Sequence, residues 1–342
     1  MFPRFLPAVS IALLVGWNAP QLLAEENVLS SMTEAVQTVF QNTKSAVVKI
    51  RASDKHGRCV GSGFFIDPNG TIYTTYAVAG EAENIVVESG DHQYNATRLV
   101  ADARSGIVLL KVDASTPFLP IGKSADLTIA SPVVTVGYPM DLPITPMLGF
   151  IGGFDLQYLH RYFTTTHIRA NVSVQRGESG APLINTQGEV VGILISGLDG
   201  GAACYALPIE AAEKIRSDYV RYGEVRHGWI GITVAPSEVA HEGSLAVIDN
   251  LGEDTPAAHS GIKKGDTLVR IGHVVVKRPE DVLNGSFFLT AGENTPVEVV
   301  RDGQHLSFNV PAVEHPFSDK SRAAGALTKS DLGGTLSLTS GR

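Results

Sequence analysis

The stretch "QRGESGAPLIN", residues 175–185, decides how the rest of the chain is read. Ser179 sits between Gly177 and Gly180, residues that let a backbone turn tightly and present its amides. A Pro-Leu-Ile run follows. This is the pattern of a nucleophilic serine beside an oxyanion hole, with the N–H groups of Gly177 and Ser179 as donors. A serine hydroxyl is a poor nucleophile at neutral pH unless a base takes its proton. The first question is where that base would be.

Around this stretch, the region up to about residue 209 reads as short β-branched strands separated by turns. "AVVKIRAS", "GSGFFI", "TIYTTY", "NIVVES", "GIVLLKV", "PVVTVGY", "EVVGILIS" and "CYALPI" are the candidates, with "DPNG" as one turn. Such a pattern argues for a barrel or sandwich. Residues 28–46 have helical spacing. So do residues 208–223, which have a proline start and a glycine stop. A second strand-rich unit begins at "GWIGITV" and runs to residue 312. Residues 313–342 are rich in Ser, Gly and Ala after Pro316 and are expected to form a disordered tail.

The 342 residues carry a net charge of -8 without clustered Lys or Arg, so nothing resembles a nucleic-acid footprint. "FLPAVSIALLVGW" is an apolar run of signal-peptide length after Arg4, and "QLLA" offers a cut at Ala24. Residues 1–24 are therefore read as a signal peptide, with an uncleaved anchor as the alternative. The protein is expected to be exported, periplasmic or secreted, with no transmembrane span after cleavage. Cys59 and Cys204 allow a single disulfide or two separate thiols. They do not supply a zinc site on their own, and no metal or cofactor is expected.

The order of motifs resembles the HtrA/Deg family of exported trypsin-like serine proteases, over about residues 30–312. "GSGFFIDPNGTIYT" resembles the approach to the catalytic histidine and "DARSGIVLLKV" the strand that carries the aspartate. "VGYP", "GESGAPLINTQGEVVGI", "YALPIE" and "GEVRHGWIGI" resemble the turn, nucleophile loop, last-helix entry and PDZ junction. The resemblance implies a mainly β fold: a trypsin-like double β-barrel over residues 25–223, then one PDZ domain over 228–312.

It also implies a defect. The family pattern places histidine in a Thr-x-x-His-Val stretch, but here "TTYAVA" has Ala77 at that position. The family aspartate falls at Gly106 in "RSGIVLL". Only Ser179 of the triad remains, with Gly177 beside it. Without the imidazole nothing accepts the hydroxyl proton or returns it to the leaving amine. Tyr76 adjoins the vacant position but has too high an ordinary pKa to serve as base. His56, His92, His160 and His167 read as surface or loop residues. In the PDZ unit the resemblance assigns Trp229, Ile230, Gly231 and Ile232 to the carboxylate-binding loop and apolar pocket for a peptide C-terminus.

The expected protein is thus a catalytically inactive homologue that binds unfolded or C-terminal peptides as adaptor, chaperone or regulator in envelope protein quality control. Family members commonly form trimers, so a homotrimer or a hetero-oligomer with an active relative is implied. The rival readings are an active endopeptidase using Ser179 with an unorthodox base, and a structural envelope protein whose groove is blocked.

Overall fold

The computed structural model describes residues 19–55 and 57–314, with side chains from Ser30 onward except Asp199. Residues 1–18 of the signal-peptide reading, His56 and residues 315–342 lie outside that set. The first element, α1 (Ala19–Thr43), begins well before the helix expected from residue 28. No glycine interrupts it, and Pro20 falls in its first turn, where a missing N–H costs nothing. Its last turns bury Val39 and pack Val36 and Phe40 on the core.

The first barrel has β1 (Val47–Asp54), β2 (Gly57–Phe65), β3 (Thr71–Thr75), β4 (Asn84–Ser89), β5 (His92–Asn95), β6 (Thr97–Asp102) and β7 (Ile107–Lys111). They pair antiparallel in the order β5-β4-β1-β2-β3-β7-β6. Only Ala96 separates β5 from β6, so one bent strand supplies both ends of that order and closes the barrel covalently. A one-turn helix, α2 (Tyr76–Ala79), follows β3.

The second barrel is closed by hydrogen bonds throughout. It contains β8 (Pro132–Gly137), β9 (Thr145–Tyr158), β10 (Arg161–Ala170), β11 (Pro182–Ile184), β12 (Val190–Leu198) and β13 (Ala203–Pro208). The β9–β10 hairpin was not legible as strands. Leu148, Phe150, Phe154 and Tyr158 of β9 are exposed, so its outward face is as apolar as its inward one and the alternation that marks a strand is lost. Helix α3 (Ile209–Tyr222) seats Ile209, Ala211, Ala212 and Ile215 in the core and stops at Gly223, whose φ of 75° is left-handed.

The second unit has β14 (Gly228–Trp229), β15 (Ile232–His241), β16 (Ser244–Leu251), α4 (Pro256–His259), β17 (Thr267–Ile271), β18 (Val274–Val275), α5 (Asp281–Phe287), β19 (Asn294–Arg301), β20 (Gln304–Pro311) and β21 (Val313–Glu314). Its main sheet runs β15-β16-β17-β19-β20. The expected tail boundary at 313 needs correction: Val313 and Glu314 pair with Trp229 and Gly228 as a short antiparallel ribbon. Val313 is β-branched and sits opposite an aromatic partner, a pair that favours strand.

The two units share a buried junction. Phe287 of α5 is fully buried in the same apolar cluster as Ile107, Leu109 and Ile215. Asp218 accepts from Lys214 Nζ (2.5 Å), the Arg226 amide (2.9 Å) and Thr290 Oγ1 (3.0 Å). Burial pushes the Lys214 ammonium down, while Asp218 opposes that shift. Asn284 Oδ1 accepts from Thr165 Oγ1 (2.5 Å) and the Thr166 amide (3.1 Å), tying α5 to β10.

Candidate active site

Ser179 lies where the two barrels meet. Its loop is shaped by glycine in left-handed backbone. Gly177 has φ 96°, and a Cβ there would come 2.4 Å from the Tyr138 carbonyl oxygen. Gly180 has φ 88°, and a Cβ would come 2.2 Å from the Ser62 carbonyl oxygen. Neither position accepts another residue without displacing backbone. The first barrel holds the loop through Ser62. Its hydroxyl donates to Gly177 O at 2.8 Å, and its amide donates to Ser179 O at 2.8 Å. Ser62 is fully buried and was not singled out from sequence, because a serine in a strand carries no signature of its partner.

The Ser179 hydroxyl meets no ionisable group among the described residues. Its Oγ pairs with Thr75 Oγ1 at 2.8 Å and reaches the Ile195 carbonyl at 3.4 Å. Thr75 is the last residue of β3, buried, and two positions before Ala77. Successive strand residues face opposite ways. Thr74 therefore donates to Ser62 O (2.8 Å) while Thr75 faces Ser179. A threonine hydroxyl titrates far above neutral pH, so it orients the serine and takes no proton from it.

Ala77 stands exposed on α2 with only a methyl group. Gly106 has φ 77°, and a Cβ built there would meet nothing within 4 Å. The Tyr76 amide donates to Gly106 O at 2.7 Å, which holds the end of β3 against the start of β7. The fold thus brings Ser179, the α2 turn and the Gly106 turn to one place, with no imidazole or carboxylate on Ser179 Oγ.

Two amides of the loop are open. Neither Gly177 N–H nor Ser179 N–H donates to a described acceptor, whereas the Glu178 amide between them turns back to Gln175 O at 3.3 Å. The Glu178 carboxyl is buried. Its Oε2 accepts the Gln175 amide at 2.6 Å, and its Oε1 has no partner among the described residues. Burial pushes this carboxyl up, partly offset by the Gln175 hydrogen bond.

The histidines are elsewhere. His160 occupies the exposed β9–β10 turn. His167 is buried, not a surface or loop residue as expected. It stacks on Phe163 with centroids 4.1 Å apart, and burial pushes its pKa down. His227, which sequence reasoning passed over, has Nε2 2.8 Å from Asp102 Oδ1. That contact joins the second unit to the turn that carries Gly106.

In the second unit Gly231 has φ 82°, and a Cβ there would come 2.3 Å from the Thr255 side chain. The carbonyls of Ile230 and Gly231 accept from Ala257 (2.9 Å) and Gly252 (3.1 Å), while their own amides donate to no described acceptor. β15 pairs only with β16 and leaves an open sheet edge beside this loop. Of the residues assigned to the apolar pocket, Ile230 is a core residue and Ile232 is half-buried against that core. Trp229 instead lines a pocket of about 430 Å³ with Pro256, His259, Asn309, Pro311 and Val313. That pocket lies between α4 and β20, with Val313, the strand partner of Trp229, on its wall.

Cys59 on β2 and Cys204 on β13 are separate free thiols. Burial pushes the Cys204 thiol up to about 11. No group of three or more His, Cys, Asp or Glu among the described residues is arranged to hold a metal.

The fold and its two units define a class: a trypsin-like peptidase domain followed by a PDZ domain. Residues 61–193 match the family model described as trypsin-like peptidase domain, and residues 228–312 match that of the PDZ domain. Together the two matches fall on the two units of the fold, in that order. A relative from Halomonas elongata, named probable periplasmic serine endoprotease DegP-like, is 31% identical over 282 residues, 79% of this chain and 59% of the relative. A protein of the same name from Pseudomonas fluorescens is 29% identical over 279 residues, 78% of this chain and 58% of that protein. The chain thus spans under two thirds of these curated relatives. Among solved structures, HtrA-type protease AlgW with tripeptide superposes with a TM-score of 0.69 at 20% identity, over 83% of this chain and 98% of that one. That likeness speaks for the fold alone. The serine endoprotease from Yersinia pestis gives a TM-score of 0.59 at 25% identity, over 82% and 98%.

Proposed function

We propose that this chain is an exported, catalytically silent HtrA/DegP-type protein that binds peptides and unfolded segments without cutting them. One observation carries the reading: Ser179 Oγ is paired with the Thr75 hydroxyl at 2.8 Å, where a working site needs a base. Losing the base of a serine protease costs about a millionfold in turnover, and only about 10³–10⁴-fold over water is left to the oxyanion hole and binding. Export is supported by the apolar N-terminal run and by relatives named periplasmic. No helix among the described residues is long and apolar enough to cross a membrane.

Peptide binding is supported by the open β15 edge and the two undirected amides beside Gly231, which suit strand addition and capture of a terminal carboxylate. Solved relatives are titled with a tripeptide and with a decapeptide bound. The role would be that of adaptor, chaperone or regulator, and assembly with an active relative would account for keeping the fold without its chemistry.

The test is a serine-directed fluorophosphonate probe and an unfolded-casein digest on the purified protein, with Ser179→Ala as control. The expected result is no labelling above the control and no cleavage. Labelling and cleavage that both depend on Ser179 would establish an endopeptidase with an unorthodox base.

A further inference from the structure

We propose that the cradle around Ser179 is itself a carboxylate-binding site, which takes the C-terminus of a peptide. The proposal rests on the reading of the chain as a peptide binder that does not cut, and it places a second recognition site in the peptidase domain.

The backbone supplies the first part of the cradle. A peptide plane holds its C=O and N–H on opposite sides. Arg176 O accepts from the Met140 amide at 2.6 Å, so Gly177 N–H points away from the 138–141 turn. It and the Ser179 N–H lack described acceptors. Two such amides, set by a left-handed glycine, form an anion-binding concavity. The hydroxyls supply the second part. Of Ser179 Oγ and Thr75 Oγ1, 2.8 Å apart, one donates to the other. When Thr75 is the donor, the Ser179 proton has only the Ile195 carbonyl, at 3.4 Å, a long distance for O–H···O. It is available to a better acceptor.

Glu178, the adjacent carboxyl, is buried and turns one oxygen to the Gln175 amide; its charge opposes a second carboxylate, a cost that the two amides and the hydroxyl must outweigh. No imidazole fills the space over the hydroxyls, since Ala77 is exposed and Gly106 has no side chain. A carboxylate offers two acceptor oxygens, one for the amide pair and one for the hydroxyl. Charge-assisted bonds of this kind are roughly twice as strong as neutral ones. An internal peptide carbonyl brings one oxygen and no charge, so a chain terminus is preferred. Beside Ser179, whose hydroxyl reaches its carbonyl, the partly buried Ile195 gives an apolar surface. The terminal side chain is therefore apolar.

The experiment is calorimetric titration of the full chain with one soluble decapeptide ending in valine, as the free acid and as the C-terminal amide. Ser179→Asp places a fixed negative charge in the cradle. It is expected to lose one equivalent of free-acid binding and to leave any equivalent held at the PDZ loop. Ala77→Asp, at an exposed position, is expected to weaken the same equivalent by about tenfold through charge repulsion. Unchanged stoichiometry and affinity in both variants would overturn the cradle while leaving peptide binding at the PDZ unit intact. Equal binding of acid and amide to the unmodified protein would overturn it as well. Failure of both peptides to bind would sink the peptide-binding reading itself, and cleavage of the peptide would sink its inactivity.

Discussion

In the nucleophile loop, each backbone feature has a neighbour that requires it. Gly180 has no room for a Cβ against the Ser62 carbonyl, Gly177 has none against the Tyr138 carbonyl, and Ser62 clamps both Gly177 and Ser179. Across the cleft the constraints are slack. Ala77 is exposed, and a Cβ at Gly106 would find open space. The two sides of one site therefore answer to different physics. The loop seats the second barrel on the first, so its shape is tied to stability. The opposite turns carry only a methyl group at Ala77 and no side chain at Gly106, so the core does not constrain which residues stand there.

The sharpest way to break this comparison is to place titratable groups on the slack side. Ala77→His with Gly106→Asp is expected to give fluorophosphonate labelling that depends on Ser179, faster than the parent by about 10²–10⁴-fold. The measurement is labelling rate against the same double variant carrying Ser179→Ala. The aspartate costs about 1–2 kcal/mol, because φ at this position is 77°. If the introduced pair does nothing, the cleft differs from a working site by more than two side chains.

On the constrained side, Gly180→Ala is expected to destabilise the protein by about 3 kcal/mol or more, through left-handed strain added to a backbone clash. Urea unfolding reads this directly. A loss below about 1 kcal/mol would mean that the loop is not held as described.

The junction offers a smaller, pH-dependent effect. Burial pushes the Asp102 carboxyl up, but hydrogen bonds from His227 and Ser105 outweigh it and leave Asp102 below its ordinary value. A carboxyl depressed in the folded state adds stability above its unfolded pKa and loses it as pH falls through the folded pKa. Asp102→Asn is expected to cost about 1–3 kcal/mol at pH 7, a difference that shrinks as the pH falls below about 4. Unfolding free energies of both proteins from pH 7 to pH 3 check this.

Glu178 runs the other way. Its folded pKa is raised by burial, so ionisation opposes folding as pH rises through that value. Glu178→Gln is expected to raise stability by about 1 kcal/mol at pH 7, with the gain absent at pH 4. A thermal melt at the two pH values decides it.

Much of this was legible in the chain. The strand-turn rhythm, the Pro-to-Gly span of α3 and the glycine pair around Ser179 are local signals, set by backbone preferences over a few residues. The β9–β10 hairpin was not legible, because its exposed face is apolar. The pairing of Trp229 was not legible either, because its strand partner Val313 lies 84 residues away. Ser62, Thr75 and His227 were missed for the same reason. Serine, threonine and histidine are common on strands and at junctions, and nothing within a few residues marks the ones that will hold a site.

Which side chains stand at positions 77, 106 and 179 is a property of the sequence by itself. What surrounds the serine was settled only by folding. The Thr75–Ser179 pair spans 104 residues and the His227–Asp102 pair 125. Contacts of that span exist because two barrels and a third unit bury a shared apolar core, which brings polar groups together that local propensity cannot associate. The chemistry available was written residue by residue, and its geometry was decided by packing.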